Sequence, residues 1–269
     1  MSRSLTAADR SRLIRFASTM PVGSPERKTI LSGLTRTASG RMEYHAAIPK
    51  WPRWPVESSG SPYNAQVFGK AKVYGNAKVG GHAVVYDNAT LDGEAYVFGE
   101  AQVFGDAQVS DRAQVADNAQ VFGKAKVFGG AKVYDNVQVF GDAKVYDNVL
   151  LFGYAKVSDQ AQVYGRAKVS VHAKVSDRAK VYGAAQVFGQ AQVSGNAKVY
   201  GNAKVFINAQ VSGNAEVSGN AEVSGNVFGD AKVSGNAKVY ATAVILGGVW
   251  DGSEGEILSG RWLAPGVPA

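Results

Sequence analysis

AKVYGN (residues 71–76) and AQVFGD (residues 101–106) are two instances of one six-residue phrase that fills most of this chain. The phrase runs without insertion or deletion over residues 65–226, giving 27 consecutive units. Its third position is Val in 25 units, with Leu91 and Leu151 as exceptions. The first position is Ala in 25 units, with Val137 and Val149 as exceptions. The fifth is Gly or Asp in 25, with Val171 and Ile207 as exceptions. Self-similarity at a short fixed period marks a stacked-repeat architecture.

Each position of the phrase has a physical task. Ala and Val lie two apart, so on a strand both side chains point to one face. The residue between them is mostly Lys, Gln or Glu and suits the opposite, wet face. Gly or Asp, followed by a residue such as Asn, Asp, Arg or Lys, makes a corner, because Gly and Asn tolerate positive φ and Asp can bond to nearby backbone. Each unit is therefore a short strand and a turn. Such a strand cannot bury its own apolar side, so stacked neighbours must bury it. The composition agrees: 37 Val against 10 Leu and 6 Ile favour strand over helix.

The phrase resembles the hexapeptide repeat of left-handed parallel β-helix proteins over about residues 63–248. The resemblance implies triangular coils of three hexapeptides, and it alone supplies the left hand, since the general rule for parallel crossovers is right-handed. The 27 units then make nine coils, a prism roughly 43 Å long at the usual strand spacing. Near residues 224–230 the text reads VSGN-VFGD, two residues short of a full unit, before AKVSGN resumes at Ala231. Val227 is expected in the core there, with one strand clipped. Three further units bring the total to about ten coils. A looser likeness of the tail, residues 247–269, to the ends of phage and prophage hexapeptide proteins hints at origin.

The ends of the chain differ from the repeat. Residues 1–46 are basic, and residues 4–39 read as two short helices. Thr6 and Asp9 form a capping box, with Leu13, Phe16, Ala17 and Met20 at helical spacing. After Pro21, Ser24 and Pro25 start the second helix, whose apolar side is Ile30, Leu31 and Leu34. Residues 47–62 form a linker whose three prolines favour extended backbone and whose Trp51 and Trp54 need cover. Residues 249–269 read as a hairpin-like cap with Trp250 and Trp262 plugging the prism's end. The helical arm is a candidate contact for a protein partner.

Charge and composition narrow the function classes. The net charge of +7 resides mostly in residues 1–60, which carry ten Lys/Arg against four Asp/Glu. A basic arm and lysine-lined faces allow nucleic-acid binding, but lysine at a strand's wet position is also a guard against edge association. The chain has no Cys, so disulfides and thiolate metal sites are excluded. No apolar run reaches the ~18 residues of a membrane helix. With no secretory signal evident, the expected setting is cytoplasmic or virion-associated.

Enzymatic chemistry is sparse. The resemblance brings acyltransferases into view, which use a His base and loops thrown out from the coils. No loop interrupts the 27 units, and the chain has three His. His45 lies outside the repeat. His82 and His172 are 90 residues apart, five whole coils, so they share a corner column roughly 24 Å apart. They are the only candidate bases and cannot converge within one chain. The family's zinc-type site of three His is not supplied, a Thr-rich face is absent, and no phosphate loop or nucleophile elbow is present. No cofactor or metal is expected.

The fourth position carries the remaining signal. Stacked at intervals of eighteen, one column reads Phe68, Tyr86, Phe104, Phe122 and Phe140 before turning to Ser. A second holds Phe128, Tyr146, Tyr164, Tyr182 and Tyr200; a third holds Tyr134, Phe152, Phe188 and Phe206. Alternation from the inward Val places them outside. They are read as stabilising ladders or as an exposed stripe for self-association, with Val171 and Ile207 as a further contact spot on one edge. The expectation is a non-catalytic scaffold, a homo-oligomer and by resemblance a trimer, with an inter-subunit acyltransferase or a nucleic-acid or nucleotide binder as alternatives.

Overall fold

The computed structural model describes residues 34–36, 42–44, 64–265 and 267–269, and the chain divides into two compact units, residues 1–57 and 58–269. In the first unit Leu34–Arg36 and Met42–Tyr44 pair antiparallel, with Thr35 opposite Glu43. The helical pair expected over residues 4–39 lies outside the described residues, except that Leu34 to Arg36 form a strand. The Pro/Trp linker lies outside them too.

The second unit is an all-β parallel solenoid, with no helix among the described residues. Every repeat unit forms a two-residue strand, such as Gln102–Val103, and the next strand of the same sheet begins eighteen residues later. Three parallel sheets result. The first runs from Gln66–Val67 to Arg261–Ala264, the second from Lys72–Val73 to Val249–Trp250, and the third from Lys78–Val79 to Glu256–Ile257. The second and third each hold 11 strands, so the solenoid makes about eleven turns rather than ten.

Burial follows the phrase. The Ala and Val positions of the central coils are 0 % exposed, and each buried Val contributes about 1.5–3 kcal/mol over leaving it in water. The first coil is different: Val67, Val73 and Val79 are only half-buried, because coils cover them on one side alone. Between coils the backbone is bonded at three points per unit. Gln102 N–H donates to Ala119 O (2.9 Å), Phe104 N–H to Val121 O (3.0 Å) and Asp106 N–H to Gly123 O (2.7 Å).

The fifth position adopts positive φ, which explains its composition. Gly99 lies at φ +72°, and a Cβ there would come within 2.7 Å of Asp117 N. Where Asp stands instead, its carboxylate does work that Gly cannot. Asp135, at φ +59°, accepts the Gly153 N–H of the next coil at 2.8 Å, and Asp147 and Asp177 do the same for Gly165 and Gly195. These amides otherwise have no acceptor in the ladder.

The break near residue 225 removes a corner, not a strand. Glu222–Val223 and Asn226–Val227 are both strands joined by Ser224 and Gly225 alone, and Val227 is fully buried. The shortening displaces the first-position carbonyl that Gln210 N–H would use. Asn226 Oδ1 accepts that hydrogen bond instead, at 3.0 Å. The strand expected to be clipped survives because a side-chain amide replaces the missing backbone acceptor.

At the far end, residues 249–264 continue the three sheets before any hairpin forms. Trp250 pairs with Val233, Ile257 with Val239 and Trp262 with Ile245, so all three occupy Val positions. Trp250 is 2 % exposed and meets Trp262 edge to face at 6.1 Å. Their indole N–H groups donate to Gly247 O and Ser259 O, which meets the polar demand of a large ring in a core. Arg261–Ala264 then pairs antiparallel with Val267–Pro268.

Candidate interaction faces

The residues that could carry catalysis are scattered. His82 and His172 sit in one corner column, as the spacing requires, and the His172 ring stacks on Tyr154 at 5.0 Å. Among the described residues no group of three His, Asp or Glu could hold a metal ion. A shallow depression of about 510 Å³ at the C-terminal end is lined by Trp250, Trp262, Glu254, Glu256 and Ile257. Both its carboxylates are engaged: Glu254 accepts Gly252 N–H, and Glu256 pairs with Lys238 at 2.8 Å. No helix among the described residues is long and apolar enough to cross a membrane.

The aromatic columns are continuous stacks. Along the first corner the rings of Phe68, Tyr86, Phe104, Phe122 and Phe140 follow each other at 4.8–5.3 Å and within 10° of parallel. Phe128, Tyr146, Tyr164, Tyr182 and Tyr200 stack at 4.8–4.9 Å along the second. The third column is interrupted: Tyr134 meets Phe152 at 5.7 Å and Phe188 meets Phe206 at 5.3 Å, on either side of Ser170.

These rings are not the open stripe that simple alternation suggests. Phe104, Phe122 and Phe140 are half-buried and Tyr86 is 8 % exposed. The fourth position lies where the strand bends into the corner, and the two neighbours one coil away cover the two faces of each interior ring. Among the open apolar groups, Val171, Ile207 and Tyr154, 45 %, 55 % and 55 % exposed, share the corner after the third sheet, while Tyr74, Tyr96 and, near the C-terminal end, Val249, Leu258 and Leu263 are open on other parts of the surface. Val171 and Ile207 also hold φ near +60°, where a β-branched residue is strained.

Burial raises the phenol pKa of Tyr146, Tyr164 and Tyr182. Tyr240 is pushed up to about 12, first by burial and then by its hydrogen bond to the Glu222 carboxylate at 2.7 Å. The fold thus favours the neutral phenol. Its contribution is complete below the ordinary value of 10 and is lost as pH rises toward about 12. The melting temperature is expected to fall across that alkaline window, and Tyr240→Phe should flatten part of the fall. An unchanged alkaline profile in that variant would count against this account.

Charges on the outer faces are ordered near the C-terminal end. The third-sheet column reads Lys204, Glu222, Lys238, Glu256, with ion pairs Lys204–Glu222 at 2.9 Å and Lys238–Glu256 at 2.8 Å. Tyr240 and then Lys204 hold the Glu222 carboxyl below its usual range. On the second sheet Lys198 pairs with Glu216 at 2.9 Å. The repeat foretold Lys, Gln and Glu at these positions, but pairing became readable only once the 18-residue register set them side by side.

Compared with known proteins, the chain matches no family model and no curated protein.

Proposed function

We propose that this chain is a non-catalytic structural scaffold: a left-handed hexapeptide prism that assembles with copies of itself, as a trimer, within a larger assembly of phage or prophage type. The N-terminal segment would serve as its arm for a protein partner. The observation that carries the reading is the pair Val171 and Ile207. Each is a large, β-branched side chain held exposed in a conformation that costs about 1–3 kcal/mol, at a position where Gly is the rule. Nothing among the described residues covers either side chain enough to repay that cost, whereas a neighbouring copy seated on this corner would bury both. With Tyr154 beside them, they make an apolar edge suited to packing around an axis parallel to the prism.

Acyl transfer would need a neighbour's residues to complete a site, because His82 and His172 lie five coils apart. Light-scattering mass on a size-exclusion column, read at 260 and 280 nm, tests the scaffold reading. A protein-only trimer supports it; a monomer at every concentration overturns it, and excess 260 nm absorbance favours nucleic-acid binding. The double variant Val171→Gly/Ile207→Gly is expected to lower the assembly mass while stabilising the isolated chain by about 1–2 kcal/mol per site. Denaturant unfolding of the monomeric fraction measures the second effect, and a loss of stability there would refute the strain argument.

A further inference from the structure

The second sheet carries a strip in which a lysine-rich column runs beside an unbroken stack of five rings. Its outward column over five consecutive rungs reads Lys126, Lys144, Gln162, Lys180 and Lys198, each in register with the next. Two residues along each rung comes the stacked column Phe128, Tyr146, Tyr164, Tyr182 and Tyr200. The two columns begin and end on the same rungs. Before them stand Gln108 and Ser110; after them stand Glu216 and Ser218. Lys124 and Arg178 occupy the corner that leads into this sheet.

The lysines are placed against their own electrostatics. Lys126 lies directly opposite Lys144, and Lys180 opposite Lys198, and such like-charge pairs are destabilising. The chain opposes lysines in this way once more, at Lys156 and Lys174 on the first sheet, where the fourth positions are Ser158 and Ser176 rather than rings, whereas the Lys204, Glu222, Lys238, Glu256 column sets Glu between its lysines. Among the described residues, Lys126, Lys144 and Lys180 lie within ion-pair distance of no carboxylate; Lys198 alone has one, in Glu216. Nor do the hydroxyls of Tyr146, Tyr164 and Tyr182 bond to any described protein group, whereas the Tyr200 hydroxyl reaches Glu216 at 3.4 Å.

We infer that this five-rung strip, roughly 19 Å long, binds an extended acidic polysaccharide lying along the prism axis. Carboxylates recurring along such a chain would neutralise the opposed ammonium groups. Its ring and hydroxyl oxygens would accept from the tyrosine hydroxyls and from the Gln162 amide. An extended pyranose chain advances by close to one rung per sugar, so the match repeats along the strip. Single-stranded nucleic acid fits less well. Its bases need open aromatic faces, and here the ring faces are taken by neighbouring rings at 4.8–4.9 Å.

The test uses the full chain and an oligogalacturonate as probe, with a neutral oligoglucan and poly(dT) as comparisons, by calorimetry between about 50 and 200 mM salt. Oligogalacturonate should bind, weaken with salt, and lose roughly tenfold or more in affinity with Lys144→Glu/Lys180→Glu. Lys144→Glu also sets an acid opposite Lys126, so its melting temperature should hold or rise, which separates lost binding from lost folding. Tyr164→Phe should weaken binding without changing charge. Lys132→Glu/Lys168→Glu on the third sheet should leave it unaltered. The inference is overturned by no binding of oligogalacturonate, by an equal loss in the third-sheet variant, or by tighter binding of poly(dT). The strip lies away from the Val171–Ile207 corner, so its failure would leave the self-assembly reading intact.

Discussion

Val139→Asp is expected to cost about 4 kcal/mol or more and to disrupt the centre of the solenoid. Val139 is 0 % exposed and is stacked between Val121 and Val157, so the new carboxylate would meet only apolar groups and could not reach water. The same substitution at Val67 should cost only about 1–2 kcal/mol. Val67 is half-buried in the first coil and has a rung partner, Val85, on one side only. In a solenoid each coil touches its neighbours alone, so damage at an end frays that end while damage in the middle separates two halves. Denaturant unfolding followed by circular dichroism measures the difference. Equal losses at the two positions would contradict the nearest-neighbour picture.

The second large effect concerns the first aromatic ladder. Phe104→Ser with Phe122→Ser removes three ring contacts, Tyr86–Phe104, Phe104–Phe122 and Phe122–Phe140. At about 1 kcal/mol per contact the loss is about 3 kcal/mol before any apolar area is counted. Serine already stands in this column at Ser158, Ser176, Ser194 and Ser212, so the backbone tolerates it and the loss reports on the stack. Assembly mass should persist, because these rings are covered mainly by each other. The Val171→Gly/Ile207→Gly variant should behave in the opposite way, with mass lost and stability gained. If the Phe variants fell apart into monomers with unchanged unfolding midpoints, the ladder would be the contact and the corner would not.

Particular residues show how far the text could be read. The inward Val and Ala, the corner Gly and Asp, and the burial of Val227 all follow from a six-residue period, because period alone fixes which side chains share a face. The aromatic columns followed from an interval of eighteen, which also foretold that His82 and His172 would never meet. What the period could not give is how far each ring is covered. Tyr86 was read as outward, yet its neighbours one coil away close over it.

Other features depend on contacts between coils and carry no local signal. Asn226 looks like one more corner residue until the lost turn leaves Gln210 N–H needing its side chain. Trp250 and Trp262 were legible as plugs, but their pairing with Val233 and Ile245 shows that they extend the sheets themselves. The role of Asp135 as acceptor for Gly153 N–H was equally hidden, since the donor lies eighteen residues away.

The amino-acid sequence by itself therefore determined the repeat, the strand-and-corner unit and the apolar core, because each depends on alternation and φ preference within six residues. Only the tertiary structure decided which outer groups are paired, covered or left open. Lys198 with Glu216 and Lys126 facing Lys144 are spelled alike as wet strand positions. Coulombic pairing, ring stacking and exposure arise between coils, across distances in space that the linear order does not encode.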